Sequence, residues 1–232
     1  MPPTDRLVPR FAAEPPQEGF PYGRWAETLQ AEFLAACLRA AEEADDLDVG
    51  EATDITWFPD RTWEARTWIP ASTRTTTGVE LFGHVSFRPA TDEEEADEFE
   101  AHAEATDILA EDNPDWRIDV SDHVVGDWRG ELGNVADMTL VWGVPLVRGG
   151  VTACAELGGI TVDQCALAED RFTLIAPDAY RSDTLEIVLY DGKGHELARE
   201  SLYAEGDEDE PAQNGDSSTR NVDDVEDAFG AD

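Results

Sequence analysis

The spacing of apolar and polar positions changes along this chain, and each change marks an element. Over residues 23–44, Trp25, Leu29, Phe33 and Cys37 recur every four residues, with Leu34, Leu38 and Ala41 widening the stripe. Glu27, Gln30, Glu32, Arg39, Glu42 and Glu43 fall on the opposite side. That period predicts an amphipathic helix whose Trp-Leu-Phe stripe is core. From Thr53 the period shortens. Residues 53–58 read as a short strand, and Pro59-Asp60 as a turn. In 62–69, Trp63, Ala65, Thr67 and Ile69 alternate with Thr62, Glu64, Arg66 and Trp68, and Pro70 limits that strand or makes it an edge. After a turn at Thr77-Gly78, Val79, Leu81, Gly83, Val85 and Phe87 alternate with Glu80, Phe82, His84, Ser86 and Arg88. The Val79 set is the expected core face; the Glu80 set faces outward or lies under a neighbour. Together these runs predict three antiparallel strands whose buried face accepts the helix.

A further helix is expected next. Thr91-Asp92-Glu93-Glu94 has the form of a capping box, Phe99, Ala103, Thr106, Leu109 and Ala110 make a thin stripe, and Asn113-Pro114 stops the run. Acids crowd this stretch, so most of the helix should face solvent. The remainder reads as strands at 116–120, 123–129, 135–144, 151–157, 171–176, 185–190 and 196–203. Asp191-Gly192-Lys193-Gly194 joins the last two as a hairpin, and 160–168 reads either as a strand or as a short helix.

The pattern is silent at both ends. Residues 1–21 are a Pro-rich arm, and 204–232 hold acids with almost no large aliphatic side chain, the composition of a disordered tail. The expected fold class is α+β: an N-terminal helix packed on an antiparallel sheet, a second acidic helix, a β-rich C-terminal half and a disordered acidic tail. The expected domains are the arm 1–21, a helix-and-sheet unit with the acidic helix over 22–115, a β-rich half over 116–203 continuous with it, and the tail 204–232. Strands do not alternate with helices, which argues against a doubly wound nucleotide-binding fold.

Charge changes the picture of the surroundings. There are 53 Asp+Glu against 16 Lys+Arg, a formal charge of -37, and Lys193 is the only lysine. Such self-repulsion opposes a compact state in dilute buffer, whereas at molar salt the screening length falls to about 3 Å. The composition resembles that of proteins from a salt-filled cytoplasm, as in halophilic archaea, so the acidity reports the solvent rather than a basic partner. Cys37, Cys154 and Cys165 have no CxxC spacing, which argues against a disulfide framework and a zinc knuckle. The chain opens without an apolar run of signal length and holds no stretch approaching a membrane span, which predicts a cytoplasmic protein.

Against this acidity, residues 57–89 stand out. They hold Trp57, Trp63 and Trp68, and Arg61, Arg66, Arg74 and Arg88 face only Asp60, Glu64 and Glu80. A strip of Arg61, Trp63, Arg66, Trp68, Arg74, Phe82, His84 and Arg88 could stack on planar ligands or meet a partner; equally, central strands carry few acids and three Trp supply a core. His102 shares a helical face with Glu98 beside the apolar stripe and reads as a boundary histidine, and His84 and His123 carry no local signature. No HExxH, GxSxG, GxGxxG or GxxxxGK[ST] pattern is present, so no metal site, catalytic residue or cofactor is assigned. The first reading of function is therefore a non-catalytic binding or assembly module using the strip, self-associating or with a protein partner. The alternatives are a hydrolase-type enzyme around His84 or His123 and, weakest, nucleic-acid binding through the arginines, which only clustered exposed Arg on one face would support.

Overall fold

The structure, a computed structural model, describes residues 25–44, 46–90, 95–129, 135–180 and 183–203. The arm 1–21, the capping box 91–94 and the tail 204–232 lie outside the described residues. The chain divides into two units after Leu202, and every element described below belongs to the first unit. Helix α1 spans Ala26–Glu43 and buries Leu29, Phe33 and Cys37 of the four-residue stripe together with Ala36 and Ala40, whereas Leu38, expected to widen the stripe, is 68% exposed. Strands follow in three antiparallel sheets. Sheet 1 holds β1 (Ala52–Trp57), β2 (Arg61–Trp63), β3 (Arg66–Thr75), β4 (Glu80–Arg88) and β5 (Asp97–Thr106), in the order β1-β3-β4-β5 with β2 also on β3. Sheet 2 is β10-β7-β6, built from β6 (Ile118–Arg129), β7 (Val135–Pro145) and β10 (Phe172–Asp178). Sheet 3 is β12-β11-β8-β9, built from β8 (Gly150–Leu157), β9 (Ile160–Ala166), β11 (Leu185–Asp191) and β12 (Glu196–Ser201). Among the described residues, no helix is long and apolar enough to cross a membrane.

The α+β expectation with a second helix is overturned: the described chain is mostly β with one α-helix, and residues 97–106 form strand β5. Ala and Glu favour a helix there by intrinsic propensity. The same stretch, however, also alternates strictly. Phe99, Ala101, Ala103 and Ala105 point to α1 and its core, while Glu100, His102, Glu104 and Thr106 point the other way. Pairing with β4 and burying that small-residue face under α1 outweigh a propensity difference of a few tenths of a kcal/mol per residue. A 3-10 turn at Ala110–Asp112 is what remains of the expected helix among the described residues.

Three smaller expectations also change. Residues 62–69 are a hairpin rather than one strand: Trp63 pairs with Arg66, and Glu64 and Ala65 take φ of 48° and 61° in a two-residue turn. Pro70 lies inside β3 rather than at an edge. Its carbonyl accepts from Phe58 N–H at 2.9 Å, so its own nitrogen faces the same side, where residues 58–60 leave the sheet between β1 and β2 and no ladder donor is needed. The runs 116–120 and 123–129 merge into β6, with a bulge between Val124 and Gly126. The ambiguous 160–168 region resolves as strand β9.

The layers are α1, sheet 1, sheet 2 and sheet 3. Ile69, Ala71, Leu81, Val85 and Phe87 of sheet 1 pack against α1. On the opposite face, Trp68 and Phe82 meet Met138, Leu140, Trp142 and Ile175 of sheet 2. Sheet 2 then turns Val141, Phe172, Leu174 and Ala176 toward Ala155, Leu157, Ile187 and Leu189 of sheet 3. Sheet 2 is thus apolar on both faces, which is why β10 is buried at every position.

A buried ion pair crosses these layers. Arg61 of β2 is only 2% exposed and meets Asp163 of β9, whose carboxylate also accepts from Ile175 N–H at 2.9 Å and Gln164 N–H at 2.8 Å. Burial raises the pKa of Asp163, and the guanidinium and amide donors pull against that rise. Removing one partner strands a buried charge. Asp163→Ala is expected to cost about 3–5 kcal/mol by urea unfolding in molar KCl, with Arg61→Met/Asp163→Leu recovering most of it. A single-variant loss of about 1 kcal/mol or less, the range of exposed pairs, would contradict this role.

Candidate metal centre

The inner face of sheet 1 carries the even-numbered residues of β3, β4 and β5. In the register, Pro70 of β3 lies opposite His84 of β4, and His84 opposite His102 of β5. One step along, Ser72, Phe82 and Glu104 form the next row. Across the layer, His123 of β6 pairs with Leu140, so the two share a face, and Leu140 packs toward sheet 1. Strand parity alone therefore directs His84, His102, Glu104 and His123 into one layer between the sheets.

The side chains meet there. The ring centroids of His102 and His123 are 4.0 Å apart, those of His84 and His123 5.0 Å, and those of His84 and His102 6.0 Å. His102 Nε2 is 3.0 Å from Glu104 Oε1, and His123 Nδ1 is 3.8 Å from the same oxygen. One donor atom from each of His102, Glu104 and His123 lies within 4.8 Å of the others. Around a tetrahedral zinc with bonds of about 2.0–2.1 Å, neighbouring ligand atoms are about 3.3 Å apart. The 3.0 and 3.8 Å separations bracket that spacing, so two imidazoles and a carboxylate can close on one ion with small side-chain adjustments.

His84 sits deeper, 6% exposed, and its Nδ1 has no hydrogen-bond partner. Leaving such a nitrogen unsatisfied costs about 1–3 kcal/mol. Burial, with smaller effects from His123, His102 and Arg66, pulls its pKa down from 6.5 to about 3, so the ring is neutral and able to donate a lone pair to a metal at neutral pH. His123 is lowered as well, by burial and by His102, with Glu104 opposing. The three imidazoles open on one pocket of about 440 Å³. His123 also lines another cleft of about 630 Å³, together with Phe82, Ile108, Trp116, Glu80, Glu104 and Asp122. Burial raises the carboxyl pKa of Glu80, Asp119 and Asp122 around it, with Asp119 adding to the rise at Glu80 and Asp178 and Glu104 at Asp122.

Of the strip read from the sequence, Arg66, Trp68, Arg74, Phe82, His84 and Arg88 do share the inner face of sheet 1. They do not make one open surface. Trp68 is 5% exposed and Phe82 packs on Trp142 with centroids 6.4 Å apart. Arg66 is held by Glu100 at 2.8 Å and by Ser86, Arg88 by Glu98, and Arg74 by Glu111. Arg61 is buried on Asp163, and Trp63 packs beside Trp68, so the hairpin β2–β3 belongs to the contact with sheet 2. Helical spacing makes His102 a boundary histidine and leaves it unconnected to His123; the strand brings the two together. The signal that joins His102 to Glu104 is the Phe-Glu-Ala-His-Ala-Glu-Ala alternation of 99–105, which puts both on one strand face.

Comparison with known protein families, with curated proteins and with solved structures returns no match to this chain. The chemistry of the site must therefore come from its own geometry.

A pH dependence follows from the two lowered histidines. The His84 ring stays neutral in the folded chain and His123 is held below its ordinary value, while an unfolded imidazole takes up a proton below about pH 6.5. The unfolded state then binds more protons, so the stability these rings support is complete above about 6.5 and is lost as the pH falls toward the folded value of about 3 for His84. The carboxyls whose pKa burial raises act in the opposite sense, favouring the folded state as they take up protons. In chelator-treated protein, the urea midpoint is expected to fall between pH 7 and 5.5, with His84 contributing up to about 1.4 kcal/mol per pH unit. His84→Phe should flatten that slope; an unchanged slope would contradict it.

Proposed function

We propose that this protein is a binding module for a divalent transition-metal ion, seated between sheets 1 and 2 on His102, Glu104 and His123. The carrying observation is the convergence of three donors from β5 and β6 within 4.8 Å, beside a third, buried imidazole. Imidazole donors favour zinc, cobalt, nickel or copper over magnesium and calcium, which prefer all-oxygen sites. The carboxylates of the neighbouring cleft raise the local concentration of cations.

A metal-assisted hydrolase is the alternative reading. It is favoured by one observation: Glu104 and His123 also line the 630 Å³ cleft, so an open coordination position on the ion would face room for a substrate. An assembly role for the strip 57–89 and nucleic-acid binding through its arginines receive less support, because Arg61, Arg66, Arg74 and Arg88 are each engaged by carboxylates. A high-salt cytoplasm suits the binding reading: the carboxylate excess supports it, as do three buried, unbridged cysteines whose thiol pKa values burial raises to about 11.

Titration of the full chain with Zn²⁺ or Co²⁺ in molar KCl, with excess Mg²⁺ to occupy surface carboxylates, is expected to give one tight site per chain. His102→Ala and His123→Ala should each weaken it at least about tenfold, the loss of one good ligand contact. Binding that Mg²⁺ abolishes, or that both substitutions leave unchanged, would overturn the proposal.

A further inference from the structure

We infer that His84 is a fourth ligand, and that the ion closes a three-imidazole, one-carboxylate site which clamps sheet 1 to sheet 2. This inference rests on the metal-binding reading and says what kind of site it is. His84 lies directly opposite His102 across the β4–β5 ladder, so its ring stands on the same face and in the same row. Its centroid is 5.0 Å from that of His123, which arrives from the other sheet, and all three rings line the same 440 Å³ pocket. A histidine kept only as core would be expected to have its ring nitrogens bonded, or to be replaced by an apolar ring of similar size. Here Nδ1 is sealed from solvent without a partner. The χ2 torsion of an imidazole is broad, so the ring can turn toward an ion seated between His102 and His123 without leaving its rotamer.

The consequence is structural and chemical together. Three protein ligands leave a position for water, the arrangement of a catalytic site, whereas four make a closed tetrahedral site. With His84 bound, ligands come from β4, β5 and β6, and the ion bridges the two sheets where β6, an edge strand of sheet 2, lies over β4 and β5. No position then faces the 630 Å³ cleft for water activation. Metal binding would be linked to the docking of sheet 1 on sheet 2, since a ligand that binds only the docked form stabilises it.

The test loads the full chain with Co²⁺ and counts its ligands. X-ray absorption is expected to fit three imidazoles and one carboxylate, with the intense visible bands of four-coordinate cobalt. His84→Phe, which keeps an aromatic ring in the pocket, should retain the β-rich circular dichroism spectrum, lower cobalt affinity at least about tenfold and weaken the visible bands. His84→Gln provides another variant should the phenyl ring not be accommodated, and it should show the same loss. Two imidazoles plus water in the wild-type protein, with unchanged affinity in both variants, would overturn the role of His84 while leaving the site intact. Failure of the wild-type chain to bind cobalt at all would remove the site and this inference together.

Discussion

Sheet 2 is apolar on both faces, and burying both at once is the constraint from which the rest of the architecture follows. A sheet wet on one side would alternate; β7 and β10 instead present long runs such as Met138–Trp142 and Phe172–Ala176 in which every residue is buried. Sheet 3 covers one side through Leu157, Ile187 and Leu189, and sheet 1 covers the other through Trp68 and Phe82. Sheet 1 then has a further face of its own to bury, and α1 closes it with Leu29, Phe33 and Cys37. In a chain of formal charge -37, such stacking also leaves most of the described carboxylates on the outer surfaces and edges, where salt and water can screen them.

The same stacking creates the polar layer. Apolar contact between sheets 1 and 2 runs along Trp68, Phe82, Leu140 and Trp142, but β5 brings Glu100, His102 and Glu104, and β6 brings Asp119, Ser121 and His123. Where these edges overlap, the interior becomes a cleft lined by imidazole and carboxylate rather than a dry core. The Arg61–Asp163 pair at the other end of sheet 1 is fully partnered on its carboxylate, with Ile175 and Gln164 N–H groups completing it. The His84 nitrogen is not. Arg61 Nε is likewise buried without a hydrogen-bond partner, so what marks the histidine site is the convergence of donors from β5 and β6 rather than one unsatisfied nitrogen.

Much of the fold is legible in the residues. The four-residue stripe of α1, the alternation of β4, the Asp191–Gly194 hairpin and most strands of the second half follow from periodicity and turn chemistry. β5 is the failure, and its reason is physical. Ala and Glu dominate 97–106, a composition whose local preference is helical, and only the neighbouring edge of β4 and the underside of α1 make the extended form better. The consequence reaches the site. Placed on a helix, His102 pairs with Glu98 and stands alone; placed on a strand, it joins Glu104 and lies beside His84. His123 is out of reach for another reason, because nothing in a single sequence says that β6 crosses over β4 and β5.

A metal ion held by these donors would be visible directly. The most direct measurement is anomalous diffraction from crystals of the full chain grown with Co²⁺ or Zn²⁺ in high salt, with data on both sides of the metal edge. A single strong anomalous peak is expected between β5 and β6, within bonding distance of His102, Glu104 and His123. Peaks scattered over surface carboxylates, with none at the histidines, would contradict it.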